Sequence, residues 1–168
     1  MMPDNVLSTE TIQGRFIPPD DIITDELTDY EMGGIAIQDP SQGLMVQPWI
    51  GFWKPEDSTV YIRPVDSTTD IALFVEPNVI EFSFTFDQNM RWVTATRTAD
   101  KKVKLRWFDA TVAAYVTSEF TNIDTFKLCL DDKREIQIQA GVSDVIFTYV
   151  KANSLYWRVQ RDRYMTEY

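Results

Sequence analysis

Apolar positions along this chain recur at every second residue far more often than at every third or fourth, so the elements it predicts are strands. In Glu81-Phe82-Ser83-Phe84-Thr85-Phe86 the three phenylalanines share one face of an extended backbone. Comparable runs, rich in β-branched and aromatic residues, predict strands over 35–38, 44–53, 60–65, 71–75, 80–86, 92–97, 103–108, 126–130, 145–150 and 155–160. Turn chemistry separates them, as in Asp39-Pro40-Ser41-Gln42-Gly43, Lys54-Pro55-Glu56-Asp57, Asp66-Ser67-Thr68-Thr69-Asp70 and Glu76-Pro77-Asn78. Only 109–120 has a helical flavour, and its β-branched residues read instead as a loop and a short strand.

One arrangement of these strands recurs. Phe84-Thr85-Phe86-Asp87-Gln88 ends a strand in an acidic turn, and Trp92-Val93-Thr94-Ala95 and Val103 to Asp109 follow it. A second copy runs from Leu128-Cys129-Leu130-Asp131-Asp132 through 144–149 to 154–158, and a fainter one from Ile35-Ala36-Ile37-Gln38-Asp39 to 59–66. A period of about 40–45 residues is that of propeller blades or stacked sheets. Three units are too few to close a usual propeller, so the expected neighbours are other subunits. The expected fold is all-β, with repeated antiparallel units, propeller-blade-like or sandwich.

Residues 1–32 differ from this body. Val6, Leu7, Ile12, Phe16 and Ile17 are isolated among polar residues, and Pro18-Pro19 enforces an extended stretch. A short helix over 20–30 is conceivable. The reading is an N-terminal arm over 1–32 that docks on a neighbouring subunit, against the alternative of a partly disordered leader, followed by a β-rich body over 33–168. The expected core is Phe82, Phe84, Phe86, Trp107, Leu128, Leu130, Ile146 and Leu155, buried or at interfaces.

Charge narrows the partners. Carboxylates outnumber Lys and Arg 26 to 16, for a formal charge of −10, which argues against direct nucleic-acid binding. Arg158, Arg161 and Arg163 near the C-terminus are the exception. They read as an interface that meets an acidic surface such as Asp20, Asp21, Asp25 and Glu26 of a neighbour, or of the chain's own arm folded back.

Catalytic groupings are scarce. The chain has no histidine, so the commonest general base and nitrogen metal ligand are missing, and no cofactor or metal is expected. Asp131 and Asp132 are neighbours on a strand and point to opposite faces, while Asp39 and Asp87 sit where turn N–H groups need acceptors. Cys129, the single cysteine, forms no intramolecular disulfide and reads as a small side chain in a sheet. No apolar run is long enough to span a bilayer and Met1 opens no signal-peptide pattern, so a soluble cytoplasmic product is expected. The tryptophans at 49, 53, 92, 107 and 157 read mainly as core or interface, with a sugar-stacking platform as the alternative.

The run from Ser143-Asp144-Val145-Ile146-Phe147-Thr148-Tyr149 to Leu155-Tyr156-Trp157-Arg158-Val159-Gln160-Arg161-Asp162-Arg163-Tyr164 resembles a C-terminal signature of structural proteins in tailed bacteriophages, notably short-tailed ones. Phe84-Thr85-Phe86-Asp87-Gln88-Asn89 and Leu130-Asp131-Asp132-Lys133-Arg134 look like the accompanying turns, and the resemblance covers 80–168. It implies a non-enzymatic virion protein of the tail or head-to-tail connection, assembled as an oligomer with other virion proteins. The alternative function is a carbohydrate-binding host-recognition module of the tail.

Overall fold

The computed structural model describes residues 30–39, 43–87, 89–131 and 144–168, with side chains from residue 48 onward. The docking arm, the helix considered over 20–30 and the acidic residues Asp20, Asp21, Asp25 and Glu26 lie outside the described residues, apart from the first residues of a strand that starts at Tyr30.

The described chain is all-β. Eleven strands, β1 (Tyr30–Asp39), β2 (Gly43–Lys54), β3 (Thr59–Pro64), β4 (Ile71–Val75), β5 (Val79–Phe86), β6 (Trp92–Thr98), β7 (Val103–Asp109), β8 (Ala114–Phe120), β9 (Thr125–Asp131), β10 (Asp144–Lys151) and β11 (Ser154–Val159), precede a single 3₁₀ turn at Gln160–Asp162. They form three antiparallel sheets that follow the chain, in the orders β1-β2-β3-β4, β5-β6-β7-β8 and β11-β10-β9. The three stretches read as copies in the sequence fall one on each sheet. The stretch 109–120, read as a loop and short strand, is a tight turn followed by β8, which adds a fourth strand to the second sheet.

The second sheet is the middle layer. Phe82, Phe84 and Phe86 of β5 pack with Val60 and Ile62 of β3, joined by Trp49, Trp53, Phe74 and Trp92. The opposite face supplies Val93, Ala95, Val103, Leu105 and Trp107 to a core shared with Phe126, Leu128, Val145, Phe147 and Tyr149 of the third sheet. Sheets approach one another most closely at their leading strands, β1 with β5 and β5 with β9. Close approach demands small or polar residues there. An added Cβ on Gly51 would meet the Phe84 ring at 2.5 Å. At the β5–β9 junction, Ser83 Oγ accepts from Leu128 N at 3.2 Å, and Glu81 Oε1 accepts from Phe126 N at 3.2 Å and Thr125 Oγ1 at 2.5 Å. Free strand-edge N–H groups are thereby satisfied without a backbone ladder.

Away from the leading strands, long side chains bridge the sheets. Glu76, buried just after β4, receives Lys104 Nζ at 2.9 Å and the Arg106 guanidinium of β7, while its carbonyl accepts Trp53 Nε1 at 2.8 Å. Arg106 also lies 4.0 Å over the Phe74 ring. Burial by itself would raise the Glu76 pKa, but the two cations outweigh it and hold the carboxyl below its ordinary 4.5.

The expected core is buried at Phe82, Phe84, Phe86, Trp107 and Leu128. Leu130 and Ile146 are half-buried, and Leu155 is 66% exposed. Leu155 points to the side of the third sheet that faces away from the other two, which is why the alternation did not bury it.

Two outcomes follow from this packing. Gly51→Ala should destabilise the chain by about 1–3 kcal/mol, because the Phe84 ring or the β2–β5 approach must give way; urea unfolding checks this. The depressed pKa of Glu76 means the unfolded chain binds the proton more readily, so this stabilisation is complete above the ordinary carboxyl range and fades as pH falls through the folded value. Thermal melts from pH 7 downward should therefore show the gap between wild type and Glu76→Gln narrowing as the solution becomes acidic.

Candidate functional site

Apolar residues occupy both parities of β10. Val145, Phe147 and Tyr149 point inward and are buried, while Ile146, Thr148 and Val150 face outward. The registry places Leu155 opposite Val150, Trp157 opposite Thr148 and Val159 opposite Ile146. Cys129 of β9 stands opposite Ile146 on the same outward side. The outcome is an apolar row along β10 and β11, with Leu155 66% and Trp157 44% exposed, while β9 adds Lys127 and Asp131 to the same side. Tyr168 stacks on Trp157, ring centroids 5.9 Å apart and 13° from parallel. Backbone bonds from Trp157 N to Tyr168 O and from Tyr168 N to Trp157 O fix that stack.

On β2 the outward side of the first sheet is apolar too, but covered. Ile50 and Phe52 there are each only 1% exposed. Tyr61 stacks on Phe52 at 5.7 Å, and Lys54 and Arg63, both paired with Asp70, lie over the Phe52 ring.

The three arginines expected to form an interface have different fates. Arg158 points inward and holds the segment that follows β11. Its Nε donates to Tyr149 Oη at 3.0 Å, one terminal nitrogen donates to the carbonyls of Tyr164 and Met165 at 2.9 Å each, and the other donates to Glu167 at 3.0 Å. Burial first, then the hydrogen bond to Glu167, pushes the Tyr149 hydroxyl up to about 12. Arg158 is thus consumed within the chain. Arg161 and Arg163 pair with buried carboxylates, Arg161 with Asp144 and Arg163 with Asp109 at 2.7 Å, yet more than half of each side chain stays exposed. The acidic partners proposed for them from the sequence lie outside the described residues.

Between these pairs Tyr164 is driven inward under Trp107, ring centroids 5.3 Å apart. Arg163 and Tyr164 both take left-handed backbone conformations (φ 61° and 58°), a cost that this burial must offset. Burial, then the charges of Asp144, Asp87 and Asp162, raises the Tyr164 pKa well above its ordinary value. Its hydroxyl and both Asp162 oxygens have no hydrogen-bond partner among the described residues.

Asp87 fulfils the turn role expected of it. It accepts from Asn89 N at 2.8 Å, Arg91 N at 3.0 Å and Arg91 Nε at 2.9 Å. Asp109 does the same for Thr111 N at 2.9 Å. The side chain of Asp39 and all of Asp132 lie outside the described residues. Among the described residues, no group of three acidic or thiol side chains is placed to hold a metal ion, and no helix is long and apolar enough to cross a membrane. Burial, then the Asp131 charge, raises the Cys129 thiol pKa, which leaves it a poorer nucleophile. A groove of about 700 Å³ beside Glu76 is lined by Lys102 and Lys104, but both cations are already paired, with Glu119 and Glu76. Four of the five tryptophans join the packed clusters, leaving Trp157 as the exposed one.

Sequence reasoning missed Asp144 and Asp109 as anchors and Glu76 as the bridge between sheets. The open row was detectable in principle, because β10 is apolar at both parities, the pattern of a strand that needs cover on both faces. The chain matches no protein-family model, no curated protein and no solved structure.

Arg158→Ala should lower stability by roughly 1–3 kcal/mol in urea unfolding, since four acceptors each lose one donor at once. Arg158→Lys should recover little of it, because an ammonium does not reproduce the planar fork.

Proposed function

We propose that the chain is a non-enzymatic structural component of a bacteriophage virion, in the tail or the head-to-tail connection, where it assembles as an oligomer with other virion proteins. The observation that carries this reading is the open apolar row on the third sheet, beside a first sheet whose outward Ile50 and Phe52 are covered. Exposed apolar faces of this kind mark protein contacts. The resemblance of 80–168 to virion proteins supplies the setting. Arg161 and Arg163, held in place by buried carboxylates with their guanidinium groups still half exposed, are suited to meet an acidic segment such as 20–26 of a neighbour. Arg158 leaves that set.

One observation favours a second reading. The near-parallel Trp157–Tyr168 stack is an exposed aromatic platform, and such platforms suit sugar rings. On this view the chain is a carbohydrate-binding module used in host recognition.

Purified virions of the phage that encodes the chain should contain it at a fixed ratio to the other structural proteins, read by quantitative mass spectrometry. A chain absent from the virion would sink the assembly reading. A version lacking residues 1–29, supplied during infection, should be incorporated poorly; full incorporation would remove the arm from the mechanism.

A further inference from the structure

We propose that two copies of the chain pair through the outward face of the third sheet, face against face about a twofold axis. This deepens the assembly reading and rests on it. Three observations choose the occupant. The central sheet is covered on both faces, by the first and third sheets, so a further sheet on the third continues a packing mode the chain already uses twice. The outward apolar residues in the middle of the first sheet, Ile50 and Phe52, are 1% exposed, and what that side leaves open is Val75 on the edge strand β4; a second copy therefore presents its own third sheet. Finally, a chain of charge −10 resists self-contact unless the contact carries no net negative charge; the outward positions Ile146, Thr148, Val150, Leu155, Trp157 and Val159 are uncharged, and Lys127 and Asp131 of β9 on the same side cancel one another.

Size sets the strength. Three strands about 4.8 Å apart and some 20 Å long present roughly 300 Å² in projection. That is well under the ~800 Å² per partner of a standard interface. The isolated pair should be weak, with dissociation constants from about micromolar to millimolar, and firm only where neighbouring subunits raise the local concentration.

Sedimentation velocity on the full chain across that range should show a reversible monomer–dimer equilibrium. Trp157→Asp and Leu155→Asp should each weaken it about tenfold or more, while Val75→Asp, equally exposed but on the edge strand β4, should leave it unchanged. Circular dichroism melts check that each variant is folded. Cys129 reports independently in the unaltered chain, since its alkylation should slow as the dimer forms. A strict monomer at every concentration overturns the proposal, as does a dimer lost in Val75→Asp but kept in Trp157→Asp. So does a monomer that binds a bacterial surface polysaccharide through Trp157. A monomeric chain still found in virions would overturn the pairing and leave the assembly reading standing.

Discussion

Burial of the central sheet on both faces is the constraint from which the remaining structure follows. A sheet with one wet face can put any polar residue there. Here β5 and β6 have no such freedom, and Phe82 through Phe86 and Val93 through Thr96 are buried without a break. Polar residues inside that run must find partners. Ser83 takes the Leu128 amide and Thr96 takes Arg106, whereas the Thr94 hydroxyl has no partner among the described residues and stands as a cost of the arrangement. The central sheet thus dictates the side-chain sizes of its neighbours: a glycine where β2 meets Phe84, and long or aromatic residues where the sheets are bridged farther out.

Charge is used mainly at the seams. Glu76 ties the first sheet to the second, and Glu81 ties the second to the third while also pairing with Arg97 at 2.6 Å. Asp109 and Asp144 fix the segment after β11 through Arg163 and Arg161. Ion pairs of this kind contribute modestly to net stability, but removing one partner leaves a buried charge unmatched. They hold the sheets at particular relative positions, while the two hydrophobic clusters supply the driving force. That division explains how a strongly acidic chain packs three sheets: its few cations are placed where carboxylates have been buried.

The two ends of the stack are unequal, and this carries the functional reading. The first and third sheets turn apolar residues outward as well as inward, Ile50 and Phe52 in one and Leu155 and Trp157 in the other, so the stack ends in two further faces. On the first of these Ile50 and Phe52 are covered, and on the second Leu155 and Trp157 are open. An assembly protein requires a surface of this kind, and an aromatic pair on the same surface keeps sugar binding a defined competitor.

Much of the architecture was legible in the sequence, for a local reason. Period-2 alternation and turn residues report the backbone directly, so ten of the strands and the three-unit order could be read along the chain. Even the turn role of Asp87 followed from its place at a strand end. What alternation does not report is which of two faces another sheet will cover. Leu155 and Leu128 look alike in the sequence, yet one is on the open side and the other in the core, because burial depends on the neighbour and not on the strand. The same holds for Arg158, Arg161 and Arg163, which read as one basic cluster. Parity along β11 and the turn after it send Arg158 inward to four acceptors and leave the other two at the surface. Glu76, an ordinary turn residue by sequence, became a buried bridge only when the second sheet brought Lys104 and Arg106 to it. The sequence by itself determined strands, turns and their order; stacking of the sheets decided which faces are core, which charges meet and which surface is left open, since those depend on contacts between residues far apart in the chain.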